Sequence, residues 1–186
     1  MTAEQDPPAQ GQLGVTALAA MARALSRPLP LFGVLELAAE EACDALHAAS
    51  VSISEVEAES GRTRTIINVG ILGPGETRWP YDETYSIDEV SKLSRLVKDL
   101  VPWTADIADP ACDPFEAELL RSLDKGSAMA APILVDGGIW GEMYLTRHRG
   151  RHPFDGGDVA YVEVLMAVVG GAISRSLRDE RAADAS

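Results

Sequence analysis

Residues 127–147 read SAMAAPILV, then DGG, then IWGEMYLTR, and this stretch decides the fold. Two apolar runs flank Asp136-Gly137-Gly138, a turn rich enough in glycine to reverse the chain tightly, so the segment predicts an antiparallel hairpin. Gly141 inside the second run points to a close backbone approach or a bulge. Upstream, residues 50–57 alternate: Val51, Ile53 and Glu55 fall on one side, and Ser52, Ser54 and Val56 on the other, as in a strand. Gly61 marks a turn, and residues 64–72 are rich in β-branched side chains up to Gly73-Pro74-Gly75, which no regular element tolerates. The chain thus carries two hairpins, the second closer to its end.

Helical patterns surround them. Residues 13–26 place Leu18, Met21, Ala22 and Leu25 on one face, and Pro28 and Pro30 end the run. Residues 31–47 carry Leu31, Leu35, Ala38, Ala42 and Leu46 as a stripe that needs a partner surface. Between the hairpins, Ser86 and Glu89 have capping-box spacing for a helix over 87–100 that Pro102 stops. A short strand follows at 103–107, then a helix over 113–123 led by Pro114. The last helix is expected over 155–181. Val159, Val162, Met166, Val169 and Ile173 recur at spacings of three and four like a coiled-coil seam, and Tyr161, Val164, Leu165, Val168 and Ala172 form a second apolar face. Two apolar faces call for two partners: the domain's own sheet and a second copy of the chain.

The 186 residues suit one domain, expected over 13–181, with polar tails at 1–12 (read as disordered) and 182–186. The opening residues lack the basic start and apolar middle of a secretory signal, and no stretch is read as reaching the roughly 20 apolar residues of a membrane helix. A cytoplasmic protein without membrane association is expected. Sixteen Lys and Arg against 29 Asp and Glu give a net charge of −13, which repels phosphate backbones and disfavours direct nucleic-acid binding. Two cysteines, Cys43 and Cys112, make no disulfide framework and no metal spacing.

The local motifs resemble the GAF family. They are WTADIADP at 103–110, the strand over 127–135 with Pro132 inside it, IWGEMYL at 139–145, and PFDGGD at 153–158 opening the last helix. In order and spacing the resemblance spans residues 31–177. It implies an α+β, GAF/PAS-like fold, with a five- or six-stranded antiparallel sheet, terminal helices on one face and a small-molecule pocket on the other. It also implies a regulatory role, with a diguanylate cyclase, kinase, phosphatase or RNA-binding antiterminator as the output domain or partner of such a module.

Candidate ligand-binding residues are Trp79, Tyr81, Tyr85 and Trp103, amphipathic rings in the connection that covers the sheet, with Asp106 beside them and Met129, Met143 and Tyr144 as floor. The bland reading is that these rings fill a solid core. Ligand and cofactor identity stay unknown. No catalytic motif is present, and His148 and His152, four apart, fall in a turn where helical metal spacing has no meaning. Asp106, Asp109 and Asp113 read as turn and cap formers. Family variants leave little trace. Asp113, not His, follows Cys112, against the phytochrome-like chromophore pattern. The Asn-Lys signature of cyclic-nucleotide domains is absent, since Val69 follows Asn68. As an axial haem ligand only His47 lies near a structural element. The expectation is therefore a homodimeric, non-enzymatic sensor module. Its rivals are a dimerisation module without ligand, and a free methionine sulfoxide reductase with Cys112 as nucleophile.

Overall fold

The structure is a computed structural model, and it describes residues 10–184. Three helices, α1 (Gln10–Leu25), α2 (Leu31–Ala45) and α5 (Gly156–Asp184), belong to the ends of the chain. Six strands form one sheet: β1 (Ser50–Glu57), β2 (Arg62–Gly70), β3 (Thr84–Ser86), β4 (Trp103–Asp106), β5 (Lys125–Val135) and β6 (Gly138–His148). Two short helices, α3 (Ser91–Asp99) and α4 (Pro114–Ser122), lie in the connection between the hairpins. The strand order is β3-β2-β1-β6-β5-β4, and every neighbouring pair is antiparallel.

The expected α+β architecture is thus observed, with six strands. Both hairpins form, and β5–β6 turns on Asp136 and Gly137, which both have positive φ as a type I′ turn requires. Gly141 is a site of close approach, because a Cβ there would run into the carbonyl oxygen of Ser54 on β1. Two local expectations were wrong. Ser86 belongs to the short strand β3, paired with Arg62, so it caps nothing; α3 begins only at Ser91 after Val90, without a side-chain cap. The tail expected at 1–12 is helical from Gln10, and residues 1–9 lie outside the described part; α5 continues through 182–184, leaving 185–186 outside it.

The two faces of the sheet differ in kind. Val51, Ile53, Ile67, Val69, Met129, Ala131, Ile133, Met143 and Leu145 pack with α1, α2 and α5 into one buried apolar core. Each Val, Ile, Leu or Met among them, removed fully from water, contributes about 1.5–3 kcal/mol, which makes this face the main source of stability. The opposite face is buried and polar: Ser50, Ser52, Ser54, Thr63, Thr65, Asn68, Glu142 and Thr146 are all under 10% exposed. A bulge makes this possible on β2. The register slips between Ile53 and Ser54, leaving Ile66 unpaired, so Asn68 opposes Ser52 while Thr65 opposes Ser54. The extra residue reverses the alternation, and both polar side chains face the same way.

The long helix α5 corrects two further expectations. By length and composition it is the one helix among the described residues able to cross a membrane. It lies instead along β5 as a core helix, with Gly170 against the carbonyl oxygen of Leu134, where any Cβ would collide. The predicted dimer seam is also spent internally: Val162, Met166, Val169 and Ile173 are at most 4% exposed within a single chain, and Val159 packs at the edge of the same core. The face left open carries Ala160, Val164, Ala167, Gly171 and Arg175. The seam spacing was real, but what it meets is the sheet with α1 and α2 of the same chain.

Arg147, at the end of β6, ties these layers together. Its guanidinium pairs with Asp158 at 2.9 and 3.1 Å, donates to the Leu46 carbonyl at 2.7 Å and stacks 4.1 Å from the Phe154 ring centroid. The end of α2 and the start of α5 are thereby fastened to the same strand.

Candidate functional site

Within residues 71–124, which also supply the edge strands β3 and β4, the helices α3 and α4 and the loops beside them fold over the polar face, and between them and the sheet lies a cavity of about 50 Å³. Ser52, Ser54, Thr65, Glu142 and Tyr144 form its floor; Glu76, Glu83, Tyr85, Val90, Leu93, Trp103 and the α4 side chains Phe115, Glu116 and Leu119 form its walls and roof. That volume holds a few water molecules, since one water needs about 10–15 Å³ measured this way. A larger guest requires the cover to move outward.

Local structure explains how the acidic side chains reach the cavity. Asp113 caps α4 by accepting the amides of Phe115 and Glu116 at 3.0 and 3.2 Å, with Pro114 at the first helical position. Its carboxyl also accepts from the Ser91 hydroxyl at 2.6 Å, which joins the two cover helices and holds the Asp113 pKa below the usual range. The cap sets the first turn so that Glu116 points inward, where it is 2% exposed and accepts from the Tyr144 hydroxyl at 2.5 Å. Glu83 accepts from Asn68 Nδ2 and Thr65 Oγ1, both at 3.0 Å, and from the Tyr85 hydroxyl at 3.4 Å. Glu76 accepts from the Gly73 amide.

Glu142 differs from these three. It is 8% exposed on the central strand β6, and among the described residues nothing donates to it. Burial first, and then the neighbouring Glu116 carboxylate, push its pKa up to about 7. Burial likewise raises Glu116, with the Tyr144 hydrogen bond opposing it, and burial leads the causes that raise Tyr85 and Tyr144. Trp103 packs at 6.0 Å from the Tyr144 ring, takes Lys92 Nζ at 4.4 Å from its centroid, and buries its indole N–H without an acceptor.

Of the eight residues expected to bind a ligand, three meet at the cavity: Tyr85, Trp103 and Tyr144. The other five lie elsewhere. Trp79 packs edge-on against Phe32 of α2, at 6.0 Å, beside Arg78, whose guanidinium bridges Glu36 and Glu40 of the same helix. Tyr81 is 94% exposed. Asp106 turns back to accept the Ala108 amide at 2.8 Å, and Asp109 does the same for Ala111, so these acids shape the loop as turn formers. Met129 and Met143 point into the apolar core under the helices, because alternation puts them on the face opposite Tyr144. The residues that sequence reasoning missed are the glutamates. The available signal was Glu142 itself, the one acid of β6, set between apolar neighbours in IWGEMYL.

Neither thiol is activated by its surroundings. Cys43 donates to the Ala48 carbonyl at 3.4 Å, and burial raises the pKa of both Cys43 and Cys112, which keeps them as thiols at neutral pH. No group of three or more His, Cys, Asp or Glu among the described residues could hold a metal ion.

The fold is shared with solved structures of low sequence identity. The GAF domain from a phosphoenolpyruvate-protein phosphotransferase of Coxiella burnetii superposes with a TM-score of 0.74 at 15% identity, covering 93% of this chain and 99% of that one. The phycoerythrobilin-bound GAF domain from a cyanobacterial phytochrome gives 0.73 at 15% identity, over 91% and 99% of the two chains. Free methionine-R-sulfoxide reductase from Neisseria meningitidis, in complex with its substrate, gives 0.71 at 15% identity, over 94% and 96%. No curated protein matches the chain in sequence. At these identities the structures speak for the fold alone. The model of the GAF domain, however, matches residues 31–173, more than half of the sequence, and so the chain belongs to the GAF family, whose fold serves sensory and regulatory domains.

Proposed function

We propose that this domain is a non-enzymatic sensor that binds a small molecule between the polar face of its sheet and the cover over 71–124, and passes the bound state to an output domain or partner through α5. The observation that carries this reading is the buried, polar, partly unsatisfied sheet face. A scaffold has no reason to bury Ser52, Ser54, Thr65 and Glu142 under a lid, whereas a site that admits a polar guest does. Two solved relatives of the fold carry a chromophore or a substrate, as their descriptions state, which supports the use of this architecture as a container.

Binding to the folded state alone raises stability by mass action, by about 2.7 kcal/mol at one hundred times the dissociation constant. A thermal-shift screen of metabolites against the wild-type chain and Trp103→Ala therefore tests the reading. Compounds that stabilise the first and not the second support it, and a screen in which nothing shifts either protein defeats it.

The proposal keeps a homodimer through the terminal helices but moves its seam to the open strip of α5, from Ala160 through Val164 and Ala167 to Gly171. A diguanylate cyclase, kinase or phosphatase as the output, and a cytoplasmic setting, belong to the same proposal. The reductase reading is disfavoured by the raised pKa values of Cys112 and Cys43.

A further inference from the structure

The ionisable lining of the cavity has one sign. Glu76, Glu83, Glu116 and Glu142 face it together with two tyrosines, and among the described residues no Lys, Arg or His lines it; the nearest cation, Lys92, stands over the Trp103 ring and acts on Glu116 alone of the two central acids. Three of the four carboxylates already accept from protein donors: Glu76 from an amide, Glu83 from Asn68, Thr65 and Tyr85, and Glu116 from Tyr144. Glu142 accepts from none among the described residues, although it is more than nine-tenths buried. A buried carboxylate without a donor or counter-charge is costly, and it stays neutral or waits for a cation.

The surroundings select the kind of cation. A metal ion needs several oxygens converging on one point, and the acids here are not so arranged. The apolar part of the lining is Val90, Leu93, Phe115, Leu119 and Leu123, beside the rings of Tyr85 and of Trp103, which already carries Lys92 over one face; it is a surface for hydrocarbon and, at the remaining ring faces, for a charge. The unpartnered Trp103 indole N–H adds a donor awaiting an acceptor.

We propose that the pocket recognises a small organic ammonium ion, its charge held by Glu142 and Glu116 and its body boxed by Trp103, Tyr85 and Phe115. The inference rests on the pocket reading above and names the chemical class of its ligand. A neutral acceptor on the ligand, such as an ether or hydroxyl oxygen, takes the Trp103 N–H. A free carboxylate on the ligand meets four acids and is rejected, so zwitterionic amino acids bind worse than the corresponding amines.

The test uses the whole chain with three probes of similar size and different charge, propylamine, propan-1-ol and propionate, and 2-methoxyethylamine as the amine with an acceptor. Melting temperature and tryptophan emission are followed at pH 8 and constant ionic strength, for wild type and Glu142→Gln. The amines are expected to raise the wild-type melting temperature, 2-methoxyethylamine more than propylamine, and to bind Glu142→Gln at least about tenfold more weakly. Emission reports the pocket independently of stability. Wild-type affinity for the amines is expected to fall as pH drops from 8 to 5.5 and Glu142 takes up its proton. Equal affinity of both proteins for the amines, no response to either amine, or a response to propan-1-ol or propionate alone overturns the inference. In the last case, or if neutral or anionic metabolites bind with Trp103-dependent shifts, the pocket reading stands while the cation claim falls; if nothing in either set binds, both fall.

Discussion

Replacing Glu142 by Gln should make the domain more stable, and increasingly so as pH rises. The carboxyl titrates near 7 in the folded state against an ordinary 4.5. Its folded pKa is raised, so below 4.5 both states hold the proton and the group is without effect. Between 4.5 and 7 the unfolded chain has lost the proton while the folded one keeps it, and stability falls with rising pH. Above 7 the full cost remains, 2.5 pH units in all, or about 3 kcal/mol. Glutamine keeps the shape and removes the ionisation. The gap between variant and wild type should therefore widen from about 1 kcal/mol at pH 5 to about 3 kcal/mol at pH 8. Urea unfolding at several pH values, followed by far-ultraviolet circular dichroism, measures both curves. Taking the difference cancels the general self-repulsion of a chain with net charge −13. A gap that is constant, or that closes as pH rises, would refute the reasoning, because it would mean that Glu142 is solvated or paired when the protein is folded.

Val162→Glu should unfold the chain, at a cost above about 4 kcal/mol, because a charge enters the apolar core; circular dichroism decides it. Val164→Glu, on the open face of α5, should leave the fold intact and convert a dimer to monomers in sedimentation equilibrium, and a wild-type monomer at tens of micromolar, about the limit for a weak interface, removes the dimer. Arg147→Ala should destabilise by about 3 kcal/mol, mostly by leaving Asp158 unpaired, which chemical denaturation would register. Alkylation of Cys112 should run no faster than that of a model thiol at pH 7, with no turnover of methionine sulfoxide; fast alkylation with turnover would revive the reductase.

The fold was legible because its deciding signals are local. The Asp136-Gly137 turn, the alternation in β1 and the apolar stripe of α2 each act over a few residues, and all three were read correctly. The site was half legible for a physical reason. Aromatic residues in a connecting loop announce themselves by type, but whether Trp79 turns toward the sheet or toward Phe32 depends on contacts about 47 positions apart in the chain. Alternation could have excluded Met143 as a floor residue, since Tyr144 is its immediate neighbour and must face the other way, whereas Met129 is turned from Tyr144 to Leu145 only by the register shift between Ile133 and Leu134. The bulge at Ile66 lies beyond such counting, because nothing in its composition announces where parity reverses. The α5 seam was misread because a helix packed on a sheet and a helix packed on its twin show the same spacing.

One contact in α5 gives that helix a mechanical character. At Gly170 the helix backbone meets the β5 backbone with no side chain between them, so it has a hard fulcrum instead of a cushion. Fourteen residues lie on either side, to Gly156 and to Asp184, making two lever arms of about 21 Å each. The first arm is tethered through Asp158 to Arg147, and the second leads away toward whatever follows in sequence. Any motion that preserves the fulcrum is a tilt, and a tilt of about 5° swings the free end by roughly 2 Å, the scale of interfacial helix shifts in known switches. A sub-ångström displacement of β6 on ligand binding, fed to the tethered arm by Arg147, would leave the domain as an angular signal at α5's far end.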